Sequence, residues 1–112
     1  MSTPPAYVYV LTALASGPRH GLGIAEIVSA FTDGRVLLGP GTLYRCLSDL
    51  TEDGLIRRCD PPAGASSARR KYYELTEQGR DELGNAVAEL HALLRAADRG
   101  IQGLDPAGVG HA

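Results

Sequence analysis

Apolar residues recur along this chain at helical spacing, then at strand spacing, then at helical spacing again. Tyr7, Val10, Leu11 and Leu14 form the first stripe, because positions three and four apart share one face of a helix. Pro5 suits the first turn, where its missing N–H is not needed. The stripe runs to Ala15, and Ser16-Gly17-Pro18 ends it, since Gly and Pro both disfavour continuation. A second helix is predicted over residues 20–31, with Ile24, Ile27, Val28 and Phe31 on one face. Thr32-Asp33-Gly34 reads as a turn, and the short apolar run 35–38 as a brief strand.

Gly39-Pro40-Gly41-Thr42 opens a third helix, which Asp53-Gly54 closes. Gly54 is suited to the left-handed cap. Leu43, Cys46, Leu47 and Leu50 lie within about 100° on the helical wheel. Gly41, Tyr44, Arg45, Ser48 and Glu52 lie on the other side. Residues 55–60 read as a strand and 70–75 as its return, with the paired Tyr72 and Tyr73. Pro, Gly, Ala and Ser fill the loop 61–68 between them. Thr76 is a suitable N-cap for a last helix running to about Ala97, roughly 33 Å long. Leu83, Ala86, Val87, Leu90, Leu94 and Ala97 line one side of it. Residues 1–4 and 98–112 are predicted to be disordered.

The order is helix, helix, helix, hairpin, helix. It predicts a mainly α fold with a small β-hairpin, a winged helix-turn-helix over residues 5–75. A C-terminal dimerisation helix over 76–97 and a tail over 98–112 follow. The 112 residues suit a single domain of modest core.

That order changes the meaning of the charges. The net charge is −2, from 11 Lys and Arg against 13 Asp and Glu, which by itself speaks against a nucleic-acid partner. The distribution is uneven: Arg57, Arg58, Arg69, Arg70 and Lys71 share a 15-residue window with one acid, Asp60, giving it +4 and leaving −6 elsewhere. A solvated surface run is the bland reading. In a wing beside a reading helix, however, Arg69, Arg70, Lys71 and Tyr72 are placed to meet phosphates or the minor groove. The third helix would enter the major groove N-terminus first. Gly41 and Thr42 are small enough for close approach. Tyr44 and Ser48 offer hydroxyls, and Arg45 can bond guanine bidentately. The expected partner is double-stranded DNA.

The last helix is longer than a small core needs, and its stripe needs cover. A second copy is the simplest cover, with Leu83, Val87, Leu90, His91 and Leu94 as the expected homodimer interface. Catalysis finds no support: His20, His91 and His111 are scattered, with no nucleophile–base or metal-binding spacing. No cofactor is expected. Cys46 and Cys59 form no CxxC motif, and in a reducing compartment they are expected as free thiols. No apolar run reaches the roughly 20 residues a bilayer requires, and no signal peptide is evident at the N-terminus. The expected location is the cytoplasm, away from membranes.

Four segments carry a family likeness: Gly17-Pro18-Arg19-His20-Gly21, Pro40-Gly41-Thr42-Leu43-Tyr44, Leu50-Thr51-Glu52-Asp53-Gly54-Leu55-Ile56, and Arg70-Lys71-Tyr72-Tyr73-Glu74-Leu75-Thr76-Glu77-Gln78-Gly79. Their order and spacing extend the likeness over about residues 5–97, and the chain resembles the PadR family of bacterial transcriptional regulators in its short form. The resemblance implies a dimeric winged helix that represses a detoxification, efflux or stress-type promoter. It matches Tyr44 to the DNA-reading helix and Arg69, Arg70, Lys71, Tyr72 and Tyr73 to the wing. It also admits a small planar aromatic ligand at the dimer interface, although this chain lacks the Trp that some relatives use for stacking. Where relatives commonly have Ser before Pro40, this chain has Gly39, which weakens one helix cap. Two other readings stay open: a winged helix turned to protein–protein interaction, and a regulator sensing redox state through Cys46 or Cys59.

Overall fold

Four helices and three short strands make up the described residues, 5–65 and 67–103, of the computed structural model. They run α1 (Ala6–Leu14), β1 (Arg19–His20), α2 (Gly21–Phe31), α3 (Pro40–Glu52), β2 (Ile56–Cys59), β3 (Tyr72–Leu75) and α4 (Glu77–Gly103). The helical periods predict which faces turn inward. Val10, Leu11 and Leu14 of α1, Ile24 and Val28 of α2, and Leu43, Leu47 and Leu50 of α3 pack into one core with Ile56 and Leu75. Each fully buried Leu or Ile contributes about 1.5–3 kcal/mol relative to exposure. Four stripe members depart from this pattern. Tyr7, Ile27 and Cys46 are only half-buried. Phe31 is exposed and stacks on Tyr9, with ring centroids 6.5 Å apart.

The wing is a three-stranded antiparallel sheet rather than a bare hairpin, in the order β1-β3-β2. Ile56 pairs with Leu75 and Cys59 with Tyr72, while β1 sets Arg19 opposite Tyr73 and His20 opposite Tyr72. Two residues are too few to show a period, so β1 leaves no pattern in the sequence. Its anchor is visible in the structure. After Gly17 turns the chain at φ +145°, the Arg19 guanidinium donates to the Ala13 carbonyl at 2.8 Å and to Ser16 Oγ at 3.1 Å. Residues 35–38, expected as a strand, form no ladder. Instead Thr32 Oγ1 accepts from the Val36 N–H at 3.1 Å, and Val36 and Leu38 lean on the core.

The helix ends follow from their capping residues. His20 caps α2, its Nδ1 accepting from the Gly23 N–H at 3.0 Å. Gly39 caps α3 without a side-chain bond, with Pro40 at the first position. Gly54, at φ +78°, ends α3; its N–H reaches the Thr51 carbonyl and the Leu55 N–H the Leu50 carbonyl, at 3.1 and 2.9 Å. These are the two bonds of a Schellman closure.

Thr76 Oγ1 starts α4 by accepting from the Gly79 N–H at 3.0 Å and donates back to the Gly54 carbonyl at 2.7 Å. The end of α3 and the start of α4 are thereby tied directly together. Among the residues of α4, only Gly79 is buried. The helix runs past Ala97, because Asp98–Gly103 continue it. The disorder expected for 1–4 and 104–112 falls outside the described residues. The molecule is drawn out to 63 × 28 × 26 Å, as a helix of 27 residues, about 40 Å long, requires.

Candidate nucleic-acid interface

α3 turns Leu43, Leu47 and Leu50 into the core. At 100° per residue the opposite ridge then carries Gly41, Arg45, Ser48 and Glu52, all exposed. Tyr44 and Thr42 sit on its two flanks. The flanks differ. On one side Thr42 and Arg45 line a cleft of about 430 Å³ with Tyr7 of α1 and with Cys46, Asp49 and Asp53. On the other, Tyr44 leans toward the wing and, 54% exposed, lines a cavity of about 230 Å³ with Arg69, Arg70, Lys71 and Tyr73. The structure therefore brings Tyr44 together with the three wing cations and keeps Arg45 apart from them.

Two sequence expectations for the wing are corrected. Tyr72 is 5% exposed, since its place in β3 turns the ring inward, edge-on to His20 at 5.3 Å between centroids. Tyr72 is therefore a support rather than a surface for DNA, and the half-buried Tyr73 takes the outward place. Arg57, counted in the basic window, is neutralised: its Nε donates to Glu74 Oε2 at 2.8 Å across the β2–β3 ladder. The free positive charge is thus concentrated on Arg58 and the run Arg69, Arg70 and Lys71.

Sequence reasoning also missed His20 and Gly21, which line the same cavity. The His-Gly pair before α2 was the available signal, but a two-residue motif does not say what faces it. Gly21 matters because a Cβ there would come within 3.0 Å of Tyr44 Oη. The tyrosine reaches the wing side over a bare backbone.

The residues expected at an interface on α4 are open to solvent in the single chain. Val87, Leu90, His91 and Leu94 are exposed and Leu83 is half-buried. Leu93 and Ile101 join them, with Leu94 at 59% and Ile101 at 68% exposure. Both cysteines are held protonated. Burial first, then Asp49, pushes the Cys46 thiol up; burial, then Glu74 and Asp60, does the same to Cys59. A protonated thiol is a poor nucleophile, so neither site favours a redox sensor. Among the described residues no cluster of His, Cys, Asp or Glu is suited to a metal, and no helix is long and apolar enough to cross a membrane.

A helix pair joined by a short link, a strand closing the far edge of the hairpin, and a basic wing beside the second helix together define a winged helix-turn-helix protein. The match extends to sequence: the model of the "Transcriptional regulator PadR-like family" covers residues 10–85, and the chain belongs to that family of regulators, which are not enzymes. A relative from Streptomyces fradiae, an uncharacterized 37.1 kDa protein in transposon TN4556, is 33% identical over 106 residues. That stretch is 95% of this chain and 28% of the relative, so the chain spans little more than a quarter of that protein.

Solved structures share the fold at low identity. A PadR-like transcriptional regulator from Bacillus cereus superposes with a TM-score of 0.72 at 18% identity, covering 87% of this chain and 91% of that one. A PadR family regulator from Clostridium difficile gives 0.70 at 24%, over 85% and 96%. Bacillus subtilis PadR, solved in complex with operator DNA, gives 0.60 at 23%, over 72% and 45%.

Proposed function

We propose that the protein is a homodimeric, sequence-specific DNA-binding repressor of a detoxification, efflux or stress-type promoter, working in the cytoplasm. The observation that carries this reading is the meeting of Tyr44, on the flank of the exposed α3 ridge, with the wing cations Arg69, Arg70 and Lys71 around one cavity. In this reading Gly41, Thr42, Arg45 and Ser48 face base edges and the adjoining backbone, and Tyr44, Arg69, Arg70 and Lys71 hold phosphates. The operator complex of the Bacillus subtilis relative supports the same partner.

The dimer reading rests on α4. Leu83, Val87, Leu90, Leu94, Ala97 and Ile101 succeed one another at steps of four, three, four, three and four. That is the period of a left-handed coiled-coil seam, and it is largely uncovered in one chain. A second copy covers it, with His91 at its margin. The cleft of about 310 Å³ between α1 and α4, which includes Tyr7, Val8, Leu90 and Leu93, is of a size and character to take a small planar aromatic effector.

Fluorescence anisotropy tests the reading, using the protein's own upstream intergenic DNA, a scrambled control and a salt series. A preference of about 4 kcal/mol or more for one fragment, falling steeply with salt, is the expected result. Absence of binding to either at low salt would leave a protein-interaction module as the better account.

A further inference from the structure

The cavity beside Tyr44 has a property that cationic side chains alone do not explain. It is small, about 230 Å³, below the range of organic-ligand pockets. Arg69, Arg70 and Lys71 supply charge on the wing side. His20 and Tyr44, which also line the cavity, each offer a hydrogen-bond donor. His20 Nδ1 accepts the Gly23 N–H at 3.0 Å, and a nitrogen that accepts carries no proton. The ring proton therefore sits on Nε2. The second donor is the Tyr44 hydroxyl, which Gly21 admits by having no Cβ. Neither donor has a protein acceptor among the described residues.

We propose that this cavity is the seat of one phosphate of the DNA backbone, in which His20 Nε2–H and Tyr44 Oη–H complete a shell begun by Arg69, Arg70 and Lys71. The inference rests on the DNA-binding reading above and adds His20 to it as a contact residue. The wing loop and the α2 cap are far apart in sequence, and a shared phosphate would lock them in one register on the duplex. The imidazole donates without adding charge. It contributes affinity and geometry but no counterion release, whereas the cations contribute both.

That difference makes the inference testable with a short mixed-sequence duplex. His20→Ser keeps an N-cap acceptor and removes the donor. Affinity should fall roughly tenfold or more, the range for a hydrogen bond to a charged group, with the slope of log K against log salt unchanged. Arg70→Ala should lower that slope, by up to about 0.9, one phosphate's whole share. In the double variant the combined loss should be smaller than the product of the single losses, because both groups serve one phosphate.

A strictly multiplicative loss overturns the shared seat, and so does a His20→Ser protein that binds like the parent. The unaltered protein gives a check free of folding effects. In its imidazole nitrogen–proton spectra His20 should carry its proton on Nε2, and that signal should move when duplex is added while Tyr72 stays in place. A still signal under saturating duplex overturns the inference while leaving DNA binding intact. A parent protein that binds no duplex overturns the underlying reading as well.

Discussion

Replacing Gly79 by Ala should be among the most damaging methyl additions this chain can receive. A Cβ at position 79 would overlap the Leu55 carbonyl oxygen, come within 2.9 Å of the Leu55 carbonyl carbon and 3.3 Å of Leu75 Cδ2. The obstacle is backbone, and that backbone is not free to yield. The Leu55 carbonyl accepts from the Thr76 N–H at 3.1 Å, and the Leu55 N–H closes the end of α3. Relief requires α4 to lift away from the α3–β2 corner. Overpacking of this kind costs about 1–3 kcal/mol, and losing the Thr76 bond adds about 1 kcal/mol. The better helix propensity of Ala returns about 1 kcal/mol. The net loss is about 1–3 kcal/mol, or a fall in Tm of about 4–12 °C at roughly 4 °C per kcal/mol.

Gly84 is the control. It lies five residues further along the same helix, and a Cβ there meets nothing within 4 Å. Gly84→Ala should therefore raise Tm by about 4 °C. Calorimetry on both variants, at one protein concentration because a dimer's Tm depends on it, gives the comparison. If Gly79→Ala is as stable as the parent, the tight joint between α3 and α4 is wrong.

Exchanging Arg69, Arg70 and Lys71 together for Ala should weaken binding to every DNA sequence and reduce the salt slope by about 0.9, the share of the one phosphate they enclose; an unchanged slope in anisotropy would remove the wing from the interface. Leu90→Glu with Leu94→Glu should raise the dimer dissociation constant at least about a hundredfold, read by light scattering or sedimentation, and operator binding should go with it. A double variant that stays dimeric puts the interface elsewhere. The raised thiol pKa values of Cys46 and Cys59 place their loss of protons above the ordinary cysteine range. The unfolded chain then ionises first as pH rises, so their contribution to stability is full below the ordinary thiol pKa and fades above it. Reaction with a disulfide reagent at neutral pH should be slow for both thiols in the folded protein. A fast thiol would restore the redox reading.

The elements with a long period were legible in the sequence. Three turns of α1 or α3 repeat their apolar residues often enough to define a face, and Thr76 and Gly54 mark ends by chemistry that depends only on neighbours. What escaped notice depends on distant partners. β1 is held by Arg19 reaching back to Ala13, and residues 35–38 lack a strand to pair with. The inward turn of Tyr72 is set by its register against Cys59 and His20. The candidate site divides in the same way. The ridge of α3 could be read from the helical wheel. The meeting of His20 with Tyr44 and Arg70 could not, because it joins three segments that only the fold places side by side.

The joint at Gly79 also makes α4 a lever. In a two-fold pair held together along this helix, each reading helix is carried at the near end of an arm about 40 Å long. A turn of about 10° between the arms would displace each reading head by roughly 7 Å, about two base-pair steps. Half-sites on a duplex are separated by one helical turn, about 34 Å, and tolerate little error of that kind. A small change in how two copies cross, made far from the duplex, would therefore suffice to take the pair out of step with its operator.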